Sequence, residues 1–465
     1  MRTRNSIFVK NGTSYLLSFL LVTTCFALWG FANDITNPMV KAFSKIFRMD
    51  VSGGTWVQVA FYGGYFLMAL PAAMFIRKFS FKAGVLVGLA LYAVGAFLFF
   101  PAKALGEFGF FLVAYLVMTC GLSFLETSCN PYILSMGEAS SATRRLNFAQ
   151  CFNPLGSIMG MFCAMAFIQA RLDPSDTAQR ALMDEATFNA VKEHDLQILI
   201  SPYMAVGVVI TILFLIIFFA KMPRMSDTSG SIDFVPTIKR LLRRKRYWTG
   251  VIAQFFYVGV QIMCWTYIIQ YGTRIFTTQG APVFLCDMFN ALNNALQLSD
   301  HTLAGGLLAE RDAEVLSQFC NIIAMVLFIS SRFLATWLMK YIRPSRLLVA
   351  FALLGALLTV GVIELTGIEG LYCLVLVSGC MSLMFPTIYG IALEGMGEDA
   401  KFGAAGLIMA ILGGAVLPML QAQIIDLKQV IDWPAENASF VLPLICFLVV
   451  AAYGWSALRT SRTQQ

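Results

Sequence analysis

Residues 124–132 read FLETSCNPY, and the glutamate inside them decides how the rest of the chain is read. From Phe108 to Gly137 no other residue is charged. At about 1.5 Å of rise per residue, Glu126 lies about 28 Å of helix from Glu107 and about 18 Å from Glu138. That is mid-membrane depth. A carboxylate there costs about 2.5–3.5 kcal/mol on insertion scales, so it faces a bundle interior or a wet cavity and is functional by default. The competing reading is a glutamate held in a structural hydrogen-bond network. Asn130 and Pro131 follow one turn on, and proline loosens a membrane helix where the freed groups meet protein or cavity.

Composition agrees with a membrane setting. The 465 residues are 58% hydrophobic and 13% charged, with a mean hydropathy of +0.73, which excludes a water-soluble core under a polar shell. A net charge of +7 would suggest a nucleic-acid partner in a soluble protein. Here the basic residues sit in short loops between apolar runs, so they are topology signals, the partner is the lipid bilayer and no nucleic acid is expected. The 11 cysteines lie mostly inside apolar runs and form no CxxC pair, so they read as small buried hydrophobes. No metal site and no cofactor is expected. Arg2, Arg4 and Lys10 before an apolar run resemble a signal peptide, but that run continues through Asn33 and Asp34 toward Phe47 and reads as a retained first span.

Charge-free intervals of about 20 residues, enough to cross a bilayer, predict twelve spans and an all-α membrane protein. The ninth, Leu347–Ile363, is the shortest. An even count puts both termini on one side, and the positive-inside rule makes that side the cytoplasm. A basic segment, 222–246, carries RLLRRKR at Arg240–Arg246 and separates an N-terminal six-helix half, 1–221, from a C-terminal half, 247–465. The block also suits anionic lipid. The outer stretch 278–312, with Cys286, Asn290, Asn293, Asn294 and His301, is read as a long loop rather than a cap.

The halves look like a parallel repeat. MFIRKFSFKAGVL from Met74 closes span two and opens span three, and WLMKYIRPSRLL from Trp337 does the same for spans eight and nine. Met136-Gly137-Glu138 and Met396-Gly397-Glu398 follow spans four and ten. Two six-helix halves joined by a basic loop are the organisation of the major facilitator superfamily, in which the halves rock about a midplane site.

Within that superfamily, eight motifs in order resemble the bacterial fucose–proton symporters. They are FALWGFANDITNP, AFYGGYF, FSFKAGVLVGLALYAVGA, FLETSCNPY, RRLNFAQCFNPLGS, FYVGVQIMCWTYIIQYG, SRFLATWL and FPTIYGIAL, over nearly the whole chain. The resemblance implies a proton-coupled monosaccharide symporter, L-fucose first, in the bacterial inner membrane, working as a monomer. It also implies that Glu126 and an aspartate of span one line the cavity and that Gln150 contacts sugar. One position departs from the pattern: the family aspartate falls eight residues after the span-one tryptophan, which here is Asn37, while Asp34 stands one turn earlier on a similar face.

The residues themselves limit the chemistry. Only Asp34, Glu126 and Arg332 bring charge into the spans, and both histidines, His194 and His301, fall in outer loops. Proton coupling therefore falls to Asp34 and Glu126, since a buried carboxylate loads a proton near neutral pH and releases it to a wetter side. Sugar recognition needs flat apolar faces and side chains that donate and accept. Tyr257, Gln261 and Trp265 make one stripe on span seven, span five offers Asn147, Gln150 and Asn153, and Asn33, Asn37 and Asn130 complete the substrate set. Interhelical hydrogen bonding is the alternative for all of them. Arg332 is assigned to gating or structure, through an acidic partner or helix ends. Gly156 and Gly160 form a GxxxG packing face. The alternatives to fucose transport are another hexose, such as glucose or galactose, and a membrane sugar sensor without flux. An intramembrane enzyme would need a nucleophile–base or metal cluster, and no HExxH or GxSxG occurs.

Overall fold

The computed structural model describes residues 9–10, 13–136, 149–150, 152–175, 177–222, 239–241, 243–296, 302–339, 341–394, 396, 400–427, 429–430 and 433–462. Asn147, His301 and most of the basic segment lie outside these residues. Among the described residues twelve helices are long and apolar enough to span a bilayer. They are Leu16–Thr36, Val51–Ile76, Phe81–Leu105, Phe108–Asn130, Phe152–Gln169, Glu185–Phe219, Lys245–Thr278, Glu310–Leu338, Pro344–Glu364, Ile368–Leu393, Gly403–Ile425 and Ala435–Arg459. Local signals set their ends. The Asp50 carboxylate accepts from Gly53 N at 2.7 Å and starts span two, Ser80 Oγ accepts from Ala83 N at 3.1 Å and starts span three, and Pro344 opens span nine. Span one stops at Thr36 because Asn37-Pro38 ends the helix, and a short helix, Met39–Ile46, follows.

Two bundles result. Span one packs on span five, span four on spans two and three, span nine on span twelve, and span seven on spans eight and eleven. Between bundles, span two meets span eleven and span five meets span eight. In a repeat that equates spans two and five with eight and eleven, these are one pair made twice. The crossing of spans one and five is close enough to require small residues. A Cβ on Gly156 would fall 1.8 Å from the Ala27 carbonyl oxygen, and one on Gly160 would fall 2.5 Å from that of Phe31. This is the packing role assigned to the GxxxG face. Large apolar side chains such as Leu17, Phe219 and Leu357 remain exposed along the spans, the surface a bilayer covers.

The face opposite the termini, called distal here, is closed by contacts between the bundles. Lys41 Nζ lies 3.1 Å from Glu310 and 3.7 Å from Glu314, and Lys45 Nζ lies 4.0 Å from Glu314. Burial pulls the Lys41 ammonium down in pKa, but Glu314 and Glu310 outweigh it and hold the group above its ordinary value. Asp426, just past span eleven, accepts from Val51 N at 2.8 Å and Ser52 N at 2.9 Å, so a carboxylate of one half caps the first helix turn of the other.

One expectation is corrected. The segment 278–312 holds a 14-residue helix, Val283–Leu296, rather than a plain loop. Leu285, Cys286, Phe289 and Asn293 are buried along one face, with the Phe289 ring 5.7 Å from that of Phe319. Asn290 then anchors the returning chain, donating to the Leu303 carbonyl and accepting from its N–H, each at 2.8 Å.

Candidate functional site

Asp34 sits in the last turn of span one, 1% exposed. Its Oδ1 accepts from Asn37 Nδ2 at 2.9 Å, while Oδ2 has no hydrogen-bond partner among the described residues. Asn33 and Ser157 stand beside it. The Asn37 oxygen in turn accepts from Gln58 Nε2 of span two at 3.2 Å, and the same Nε2 donates to Thr266 Oγ1 of span seven at 3.0 Å. A buried chain, Asp34–Asn37–Gln58–Thr266, therefore runs from a carboxylate of the first half into the second. Asp34 and Asn37 thus share one polar network.

Glu126 is 4% exposed in the last third of the helix Phe108–Ser135, and among the described residues its Oε2 also lacks a partner. Its backbone carbonyl accepts from Asn130 Nδ2 at 3.1 Å, and Asn130 Oδ1 accepts from Gln150 Nε2 at 3.4 Å, tying span four to the start of span five. Tyr65 of span two and Tyr389 of span ten are within electrostatic range of the carboxylate, so both halves face it. Among the described residues neither carboxylate has a cation within salt-bridge distance. Nor is there any group of three His, Cys, Asp or Glu side chains placed to hold a metal.

The remaining candidates divide. Asn33, half-buried, accepts from Tyr62 Oη at 2.9 Å, and Asn153 donates to the Phe26 carbonyl at 3.4 Å. Gln261 is half-buried and has no hydrogen-bond partner among the described residues. Its stripe neighbours are committed elsewhere. Tyr257 Oη donates to the Met381 carbonyl at 3.1 Å and Trp265 Nε1 to Ser378 Oγ at 3.1 Å, both fully within the packing of spans seven and ten. That is the interhelical role weighed against sugar contact. Arg332 donates from Nε to the Ser382 carbonyl at 3.2 Å, where span ten is broken between Met381 and Met384, and lies over the Phe328 ring at 4.8 Å. It meets helix ends, one of the two partners expected for it. Gln58, Thr266 and Tyr62 were not singled out from the sequence as site residues; Tyr62 stands inside AFYGGYF, but nothing local marks Gln58 or Thr266.

Twelve spans in two bundles closing around buried carboxylates are the architecture of a secondary transporter. The chain belongs to the Major Facilitator Superfamily, whose sequence profile matches residues 20–418. It is similar to the L-fucose-proton symporter of Haemophilus influenzae, with 49% identity over 449 residues, 95% of this chain and 97% of that one. The solved structure of the E. coli fucose:proton symporter matches with a TM-score of 0.70 at 29% identity, covering 96% of this chain and 99% of that chain. A glucose/galactose transporter of Brucella abortus is 26% identical over 97% of both chains.

Proposed function

We propose that this protein is an L-fucose–proton symporter of a bacterial inner membrane, working by alternating access. The observation that carries the reading is the 49% identity to a fucose-proton symporter along 95% of the chain. The termini face the cytoplasm, on the strength of the basic residues that crowd that side, so the distal face is external. Both halves of the site lie in one chain, which works as a monomer.

Coupling belongs to Asp34 and Glu126. A buried carboxylate without a cation partner is costly in charged form and is relieved by taking up a proton. At Asp34 the consequence reaches the other half directly, because Asn37, Gln58 and Thr266 carry its hydrogen bonding into span seven. Gln150, Asn130, Asn33, Asn153 and Gln261 supply neutral donors and acceptors for sugar hydroxyls, and Phe385 and Tyr389, stacked with centroids 6.2 Å apart, supply a flat apolar face.

Purified protein in proteoliposomes tests the reading. Labelled L-fucose should accumulate when the external side is acid and should exchange with unlabelled fucose without a gradient. Uptake indifferent to pH removes the proton, and preference for glucose or galactose over fucose in competition favours the second reading that the Brucella relative supports.

A further inference from the structure

At the distal end of the interface between the halves lies a cavity of about 510 Å³, apart from the carboxylates and amides of the central site. Its walls include Lys41, Gln270, Thr273, Arg274, Glu310 and Glu436, with Val51, Leu308 and Ile425 as the apolar part. The charges are matched among themselves: Lys41 stands 3.1 Å from Glu310, and Arg274 donates to Asn437 Oδ1 at 2.6 Å with Glu436 at 3.6 Å. Besides Arg274 Nε, which only the Glu436 carboxylate faces, the polar atoms on the wall that lack a hydrogen bond are neutral. Gln270 and Thr273 are 7% and 6% exposed, and among the described residues both amide atoms of Gln270 and the hydroxyl of Thr273 have no hydrogen-bond partner. Buried polar groups without partners are costly, and here they stand on a cavity wall, where a ligand can complete them.

The position is as informative as the chemistry. Thr266, Gln270, Thr273 and Thr277 fall at i, i+4, i+7 and i+11 and make one stripe along span seven. The stripe begins at the hydroxyl that bonds Gln58 and ends at the cavity. The volume lies in the range of small-ligand pockets of about 300–1,000 Å³. A ligand that fits is neutral, since the charges are already paired. It presents hydroxyls that both donate and accept, and it has a C–H face for Val51, Leu308 and Ile425. We propose that this cavity is an external vestibular site for a neutral monosaccharide, occupied while the distal contacts are closed and separate from the central site. The assignment of the sugar and of the external side rests on the function proposed above.

Cysteine protection tests it. Gln270→Cys and Thr277→Cys, each compared with the parent chain for background labelling, are treated in right-side-out vesicles with a membrane-impermeant maleimide, with and without L-fucose. L-fucose at about ten times its half-protecting concentration should slow labelling of either cysteine about tenfold, because only the empty site reacts. The protection should persist, at the same half-protecting concentration, when Gln150→Ala is added to weaken the central site. Labelling that ignores fucose, protection that disappears with Gln150→Ala, or no labelling at either position overturns the vestibular site and leaves a cavity holding water only. Fucose uptake by the parent protein in the same vesicles separates the two claims. Normal uptake with unprotected cysteines rejects this site alone, whereas absent uptake rejects the proposed function with it.

Discussion

At the scale of single residues, the pair Asp34 and Asn37 is the sharpest feature of the chain. Because the two side chains are hydrogen-bonded at 2.9 Å, exchanging them moves the charge one helical turn while keeping the pair. Asp34→Asn should leave fucose exchange intact and abolish accumulation driven by a pH gradient, and adding Asn37→Asp should restore part of it. Wild-type proton flux from the single variant, read with a pH-sensitive dye, would take Asp34 out of the mechanism. Glu126→Gln keeps the side-chain shape and loses the titrating proton. It should insert and fold normally yet fail to concentrate sugar, and full gradient-driven uptake would sink its role. For Gln261→Ala the expected loss of sugar affinity is about 1–3 kcal/mol, the cost of leaving hydroxyls unpaired. An unchanged tryptophan-quenching titration would reassign Gln261 to helix packing. Asp34 and Glu126 were legible in the sequence because charge is scarce in an apolar span. Gln58 and Thr266 were not, since neutral polar residues are common in membrane helices and their partnership joins positions 208 apart.

At the scale of elements, the spans could be read almost directly, because a run without charge is also a run without an alternative place to sit. The ninth span, expected at Leu347–Ile363, extends to Pro344–Glu364, since proline at the first turn lengthens the helix beyond the apolar stretch. The helix Val283–Leu296 was not read because its asparagines look like loop residues, whereas Asn293 is buried and Asn290 ties the helix to Leu303. The glycines of span five show how fine the element-level tolerance is. Gly156→Val should force spans one and five apart and lower the thermal transition or the yield of folded protein by fluorescence size-exclusion chromatography. Gly63→Ala on span two, where an added Cβ meets nothing within 4 Å, should leave both unchanged. Equal stability of the two variants would show that the close crossing is not what holds the first half together.

At the scale of the whole molecule, the two halves meet distally through Asp426 on the start of span two and through Lys41 and Lys45 against Glu310 and Glu314. Asp426→Ala strips two backbone donors of their acceptor and should destabilise the closed form by about 1–3 kcal/mol. The population should shift toward distal opening about 5- to 150-fold. Spin labels at the distal ends of spans two and eleven should then report longer distances; an unaltered distribution would show that closure does not depend on this carboxylate. The same charges make the halves resemble two proteins that associate. Once apart, their facing ammonium and carboxylate groups are open to dissolved ions, and once together they are shielded from them. Added salt in the external medium therefore slows the encounter of the halves, as it slows electrostatically steered association, while their separation rate stays nearly constant. For this carrier, external ionic strength becomes a throttle on one limb of the cycle, felt in how soon the empty or loaded protein seals itself from outside.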